Sequence, residues 1–270
     1  MNQGQGNDYR RFNYNDYQFV YQDTTPTVKV GQAPAPAAVR VGQAPAPAVM
    51  DQADGARIFV NRVYNWMFCG LMLTAIVAWG IIQVARPAEL VKLSIPLGIV
   101  ELILVFVLSF TIRSISSEVA GAMFIGYSIL NGLTLSPILL YYTQTSIFLA
   151  FGSCALMFAA TSVFGYVTKM RLDSVGAFCF MALIGLVIAS LANIFMKSEL
   201  LDYILGYVGV VVFVGLTAWD TQKLRTFGEA AGENAQTENM RKAAIIFALA
   251  LYLHFINLFI SLLRIFGDER

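Results

Sequence analysis

The chain has 270 residues, of which 57% are hydrophobic and only 13% are charged. A soluble domain of this length would carry about 25% charged residues, and here the charges lie between long apolar runs, so the composition predicts a multi-pass membrane protein embedded in the lipid bilayer. The net charge of +1 provides no overall field that would favour nucleic acid as a partner.

The first 56 residues differ in composition from the rest of the chain. A segment rich in Tyr and Asn is followed by a repeated eleven-residue unit, VGQAPAPAAVR and then VGQAPAPAVMD. Ala-Pro pairs favour an extended, polyproline-like chain that cannot form a packed core. We therefore predict a disordered cytoplasmic tail over residues 1–56 and a transmembrane domain over residues 57–270, and a docking role for the tail remains an alternative.

Seven apolar stretches follow the tail, and each approaches the ~20 residues that cross a bilayer as a helix. We expect the sixth stretch to continue through Asp220 towards Leu224, and residues 223–242 to form a polar connection. The fold class predicted is therefore an all-α bundle of seven transmembrane helices. The predicted spans are approximately Val63–Val84, Leu93–Ile112, Val119–Tyr142, Ile147–Thr168, Val175–Met196, Tyr203–Trp219 and Ala243–Phe266.

The distribution of Lys and Arg predicts the orientation, because cytoplasmic segments carry an excess of these residues. With the tail inside, the predicted inside segments contain 13 Lys and Arg residues and the outside segments contain 5. We therefore expect a protein of the cell's inner membrane with a cytoplasmic amino terminus and an external carboxyl terminus.

The three cysteines and the single histidine are inconsistent with a histidine cluster, a CxxC motif or a disulfide framework. Cys69, Cys154 and Cys179 all lie within apolar stretches, where cysteine is commonly a small packing residue. No nucleophile and base occur at a spacing that indicates catalysis, so we predict that the protein is not an enzyme and has no resident cofactor.

Five polar residues inside or at the ends of the stretches are candidates for function. His254 and Asn257 lie near the middle of the seventh stretch, and Glu101 lies within the second. Ionisable groups at such depth are costly and usually face a protein interior, although His254 as a neutral packing residue is the alternative. Arg113 and Asp220 end the second and sixth stretches on the predicted cytoplasmic side, where a flanking cation and a headgroup-level carboxylate are the simpler interpretations.

Three runs, ALALYLHFINLFISLLRIFG, AWDTQKLR and NGLTLSPILLYYT, resemble the Bax inhibitor-1 family, specifically its bacterial members, over roughly residues 57–268. The resemblance implies a seven-helix bundle whose last helix is surrounded by the other six. It also implies a pH-sensitive calcium leak channel, with calcium as the transported ion. The family's pH sensor pairs an aspartate on the sixth helix with one on the seventh, near an arginine on the second. The resemblance places these roles at Asp220, His254 and Arg113, and it matches Glu101 to the glutamate of the second helix.

His254 departs from the family pattern, because the resemblance implies an aspartate at this position. Two carboxylates that share a site cannot both ionise easily, whereas Asp220 facing His254 would form an acid–base pair. Calcium prefers several oxygen ligands and histidine provides none, so only Asp220 remains as a candidate calcium ligand in this pair.

The function expected is therefore a pH-sensitive calcium leak channel. Asp220, His254 and Arg113 would form its gate, and Glu101 and Asn257 would line its ion pathway. The alternative is a non-conducting modulator of a membrane protease or of a stress-response complex, with contacts made by the tail and by residues 223–242.

Overall fold

The computed structural model describes residues 52–111, 115–231 and 237–268, and all seven of the long elements in these ranges are α-helices. The predicted tail lies outside the described residues except for residues 52–56, which belong to the first helix. The helices are α1 (Gln52–Ile81), α2 (Pro87–Thr111), α3 (Ser117–Tyr141), α4 (Gln144–Val167), α5 (Asp173–Met196), α6 (Glu199–Ala231) and α7 (Glu238–Phe266).

Every predicted apolar stretch coincides with one of these helices, which confirms the all-α, multi-pass character of the chain. Six helices, all except α2, are long and apolar enough to cross a membrane among the described residues. The count of seven spans therefore stays a prediction.

The helices that contain the sixth and seventh stretches both extend into the predicted polar connection. Helix α6 does not stop near Leu224 but continues to Ala231, and α7 begins at Glu238, so most of residues 223–242 are helical. Residues 223–242 contain no proline and are rich in helix-forming Lys, Arg, Glu and Ala. An ion pair one turn apart, from Arg225 Nε to Glu229 Oε1 at 2.8 Å, reinforces the extension of α6.

Contacts between helix ends define the two ends of the bundle. At one end, which we call the amino end, Ser117 at the start of α3 bonds to Glu238 at the start of α7. The end of α6 also reaches the start of α1 there, where the rings of Phe59 and Phe227 lie 5.4 Å apart. At the opposite end, which we call the carboxyl end, the backbone N–H of Thr143 donates to the backbone carbonyl of Asp268 at 3.1 Å. The helices therefore alternate in direction.

Helix α7 packs against α1, α3, α4 and α6. In its most apolar 18-residue window 56% of the residues are buried, a larger share than in any other candidate span. Leu251, Tyr252 and Leu258 of α7 are fully buried in the main hydrophobic core. The enclosure of α7 by all six other helices stays a prediction.

Candidate functional site

The side chains of His254 and Asp220 meet at the interface between α7 and α6. His254 Nε2 lies 2.8 Å from Asp220 Oδ2, and the exposed fractions of the two side chains are 11% and 16%. The ring centroid of Phe213, about two turns before Asp220 on α6, lies 6.2 Å from that of the imidazole. The two residues that the resemblance pairs as a pH sensor therefore form an acid–base contact that is largely enclosed by the bundle.

The lengths of α6 and α7 explain how this pair forms. Asp220 precedes the end of α6 by eleven residues, and His254 follows the start of α7 by sixteen residues. At 1.5 Å per residue, Asp220 lies about 17 Å from the carboxyl-terminal end of α6 and His254 lies about 24 Å from the amino-terminal end of α7, and both of these helix ends are at the amino end of the bundle. With the short sixth stretch drawn from hydropathy, His254 would lie deeper than Asp220, and the extension of α6 beyond Asp220 reduces that difference in depth to about 7 Å.

A cationic group next to Asp220 was not singled out from the sequence. Lys223 follows Asp220 by three residues on α6, a spacing that places both side chains on one face of the helix. The negative charges of Asp220 and Asp173 both attract the Lys223 ammonium. The ammonium Nζ lies 3.2 Å from the ring centroid of Trp219. The indole Nε1 of Trp219 in turn donates to Asp173 Oδ1 at 3.5 Å. Asp220 therefore has a cationic neighbour on its own helix.

Arg113, the third member of the predicted sensor, lies in residues 112–114 and thus outside the described residues. Its expected position beside Asp220 stays a prediction.

Glu101 lies in a second polar cluster, on the side of α7 that faces α3. Asn131 Nδ2 donates to Glu101 Oε2 at 3.3 Å. Both side chains are buried, and Glu101 Oε1 and Asn131 Oδ1 have no hydrogen-bond partner among the described residues. Two buried oxygen atoms on neighbouring helices are thus available to a polar or cationic species.

Tyr252 connects this second cluster to α1, which the sequence did not indicate. Its hydroxyl lies 2.6 Å from Thr74 Oγ1, and Thr74 Oγ1 also donates to the Ser128 carbonyl at 2.9 Å. The rings of Tyr252 and Tyr127 pack edge to face with centroids 5.9 Å apart. Tyr252 is therefore the α7 side chain that links α1 and α3 through polar contacts.

Asn257, the second predicted pathway residue, is half-buried one turn after His254. Its side-chain Nδ2 donates to the backbone carbonyl of Leu253 at 2.8 Å, and its backbone carbonyl accepts from Ser261 Oγ at 2.8 Å. The donor end of the side chain is thus satisfied within α7, and neither of these two bonds joins Asn257 to His254.

The donor atoms near Asp220 do not form a multidentate metal site. Among the described residues there is no group of three or more His, Cys, Asp or Glu side chains that could hold a metal ion. Calcium takes six to eight oxygen ligands. One of the two carboxylate oxygens of Asp220 already contacts the imidazole nitrogen of His254.

The chain matches a protein-family model and several curated proteins. The model described as "Inhibitor of apoptosis-promoting Bax1" matches residues 56–270. The inner membrane protein YbhL of Escherichia coli K12 is 49% identical over 220 residues, covering 80% of this chain and 94% of that protein. An uncharacterized protein of Deinococcus radiodurans is 43% identical over 218 residues, covering 80% and 93%. An uncharacterized membrane protein of Streptococcus pyogenes serotype M1 is 39% identical over 227 residues, covering 81% and 96%.

Proposed function

The chain belongs to the Bax inhibitor family, and from that premise we propose that it is a pH-sensitive calcium leak channel of the inner membrane, gated by the Asp220–His254 pair. The observation that carries the proposal is the 2.8 Å contact between His254 Nε2 and Asp220 Oδ2 across two membrane-embedded helices. An ionisable pair at this depth is costly to maintain, so a role that uses its charge is favoured over packing alone.

Protonation of the histidine changes the strength of the contact. Histidine is the side chain whose charge ordinarily changes between about pH 5 and 8. A protonated His254 and an ionised Asp220 attract each other more strongly than a neutral imidazole and a carboxylate do. Acid conditions would therefore hold α6 against α7, and neutral conditions would loosen this contact and favour conduction.

The second polar cluster supports a route for the ion. Calcium prefers oxygen ligands, and the unpartnered oxygens of Glu101 and Asn131 are buried between α2 and α3. We assign Glu101 to the ion pathway, together with Asn257, which lies on the same side of α7 as His254. Calcium is here the transported ion rather than a resident cofactor.

The proposal includes seven spans with the amino end of the bundle in the cytoplasm. Helix α2 is 25 residues long and apolar, which is long enough to cross the hydrocarbon core. Eight Lys and Arg residues of the described ranges lie towards the amino end and four towards the carboxyl end, as the positive-inside rule requires of a cytoplasmic amino end.

Calcium flux into liposomes that contain the purified protein tests the proposal. We expect calcium entry that is slower at pH 6 than at pH 8 in the parent protein. Asp220→Asn and His254→Gln keep hydrogen-bonding groups but remove the ionisable pair, so both should abolish the pH dependence. His254→Asp restores the aspartate pair implied by the family and should change the direction or midpoint of the response.

Glu229→Gln is the matched control, because it removes an exposed carboxylate from the same helix, at the amino end, without touching the pair. It should leave the flux and its pH dependence unchanged. Absence of protein-dependent calcium entry, or a pH response that survives both Asp220→Asn and His254→Gln, would overturn the proposal.

A further inference from the structure

The side chain of Gln222 holds the segment between α4 and α5 against α6. This segment, residues 168–172, is called the α4–α5 connection below. Gln222 Nε2 donates to the backbone carbonyl of Met170 at 2.7 Å, and Gln222 Oε1 accepts from the backbone N–H of Leu172 at 2.9 Å. One side chain of α6 therefore satisfies a backbone acceptor and a backbone donor that lie outside both α4 and α5.

Two further side chains of α6 contact the helix ends that flank the α4–α5 connection. Arg225 Nη1 donates to the backbone carbonyl of Tyr166, in the last turn of α4, at 2.8 Å. The indole Nε1 of Trp219 donates to the carboxylate of Asp173, the first residue of α5. A Cβ atom added at Gly176 would collide with the Trp219 ring, so the indole lies directly against the α5 backbone. Both ends of the α4–α5 connection are therefore joined to α6.

The residues of α6 that make these contacts lie on one face of the helix, and Asp220 lies on another. Trp219, Gln222 and Arg225 follow one another at intervals of three residues, so they span about 120° around the helix axis. Asp220 lies about 100° from Trp219 in the other direction around the axis. The contacts with α4, α5 and their connection therefore fix the rotation of α6 about its axis, and with it the direction of the Asp220 carboxylate.

The contact between Asp220 and His254 is sensitive to this rotation. The end of a side chain lies about 5–6 Å from the axis of its helix, so a rotation of about 20° moves it by about 2 Å. Rotation away from α7 would therefore extend the 2.8 Å distance from Asp220 Oδ2 to His254 Nε2 beyond hydrogen-bond range. Gln222 opposes such a rotation directly, because it makes two bonds and both are to backbone atoms.

We propose that Gln222 is a positioning residue of the gate, which holds α6 at the rotation at which Asp220 meets His254. The inference rests on the function proposed above, in which this contact closes the channel. Gln222 acts through the α4–α5 connection and has no direct part in binding the ion. Loss of its two bonds would leave Asp220 and His254 in the bundle but out of alignment, whereas a residue that only stabilised the bundle would leave their contact unchanged.

Nuclear magnetic resonance of the His254 imidazole tests the proposal. The chain contains one histidine, so 15N-labelled histidine reports from this site alone when the full chain carries no polyhistidine tag. The shifts of the imidazole nitrogens depend on protonation and on the hydrogen bond that each nitrogen makes. Asp220→Ala, measured in lipid nanodiscs at pH 6, defines the shifts that follow loss of the contact. Gln222→Met keeps a side chain of similar length but removes both bonds, and it should move the shifts most of the way towards those of Asp220→Ala.

Asn193→Leu is the matched control, because it removes the same kind of bond at the opposite end of α5. Asn193 Oδ1 accepts from the backbone N–H of Ser198, in the connection between α5 and α6, at 3.0 Å. This variant should leave the His254 shifts at the values of the parent. Gln222→Glu is a second variant, for use if circular dichroism shows that Gln222→Met does not fold. It keeps an acceptor but has no donor, so its shifts should lie between those of the parent and of Asp220→Ala.

Parent-like His254 shifts in a folded Gln222 variant would overturn the proposal. Equal changes in Asn193→Leu would show that any loosening of α5 or α6 moves the imidazole, and would also overturn it. In liposomes, Gln222→Met should raise calcium entry at pH 6 towards the rate at pH 8, and an unchanged rate would overturn the role in gating. Absence of calcium entry in the parent would contradict the proposed channel, whereas the shifts would still decide whether Gln222 positions Asp220.

Discussion

Tyr252 and His254 lie two residues apart on α7 and bond to helices on different sides of it. The Tyr252 hydroxyl lies 2.6 Å from Thr74 Oγ1 on α1, and His254 Nε2 lies 2.8 Å from Asp220 Oδ2 on α6. Because each residue of an α-helix turns by about 100°, a separation of two residues directs the side chains to nearly opposite faces. Movement of α7 relative to α6 and movement relative to α1 would therefore break different polar contacts.

The Asp220–His254 contact should contribute to stability as well as to gating. Removal of the imidazole in His254→Ala leaves the Asp220 carboxylate without this partner, and we expect a loss of about 1–3 kcal/mol in the free energy of unfolding. His254→Gln retains a hydrogen-bonding side chain and should lose less. Thermal unfolding of the purified protein in detergent measures both, and equal stability of the Ala and Gln variants would contradict this prediction.

The Tyr252–Thr74 hydrogen bond should couple α7 to α1. Tyr252→Phe and Thr74→Val each remove one hydroxyl with little change in volume. Hydrogen bonds between membrane helices average about 0.6 kcal/mol and reach about 1.7 kcal/mol, so we expect a coupling free energy in this range from the double-mutant cycle.

Unfolding free energies in mixed detergent would supply the four values of that cycle. Thr161→Val is a suitable control, because the Thr161 hydroxyl donates to the Met157 carbonyl of its own helix, α4, at 2.6 Å. Combined with Tyr252→Phe it should show no coupling. Additive effects of Tyr252→Phe and Thr74→Val would show that the hydrogen bond contributes nothing to stability.

The cysteines should differ strongly in reactivity. Cys69 is exposed on α1, whereas Cys154 and Cys179 are buried, and Cys154 Sγ donates to the Phe255 carbonyl at 3.4 Å. Access to reagent limits labelling of a buried thiol. N-ethylmaleimide should therefore label about one thiol per folded chain in detergent and all three after denaturation. Cys69→Ser should abolish the labelling of the folded chain.

Labelling counted by intact-mass spectrometry checks this prediction. Rapid labelling of Cys154 or Cys179 in the folded chain would show that the packing of α4 or α5 is looser than described.

The positions of the helices could be predicted from the sequence because a run of about 20 apolar residues is a strong signal for a membrane-crossing helix. The end of α6 could not, because hydropathy marks where a helix leaves hydrocarbon and not where it stops. Residues after Leu224 are polar and yet form helix to Ala231. The resemblance to a known family identified Asp220 and His254 as partners, and the structure brings them together through this helical extension.

The polar contacts of Tyr252 and Thr74 had no comparable signal in the sequence. Tyrosine and threonine are common in membrane helices, and which of them meet depends on the rotation of α1, α3 and α7 about their axes. That rotation is set by many side chains of the core at once. Lys223 and its contact with Trp219 were predictable in principle, because Lys223 follows Asp220 by three residues and Trp219 by four on one helix. The bond from Trp219 to Asp173 was not, because it depends on the packing of α5 against α6.

The close approach of α4 to α6 near the candidate site depends on Gly165. A Cβ atom at this position would collide with the backbone carbonyl of Ala218, two residues before Asp220. Gly165→Ala must therefore separate the two helices, and we expect a loss of about 1–3 kcal/mol in the free energy of unfolding. Gly152 lies on the same helix with no atom within 4 Å of an added Cβ, so Gly152→Ala should be neutral or stabilising by up to about 1 kcal/mol.

Thermal unfolding of the two alanine variants tests this contrast, and calcium flux measured alongside connects it to the site. Separation of α4 from α6 displaces the α6 backbone next to Asp220, so Gly165→Ala should also alter the pH dependence of flux whereas Gly152→Ala should not. Similar stabilities of the two variants would show that the α4–α6 approach is not as close as described. A destabilised Gly165→Ala protein with the parent's pH response would show that the Asp220–His254 contact tolerates movement of α4.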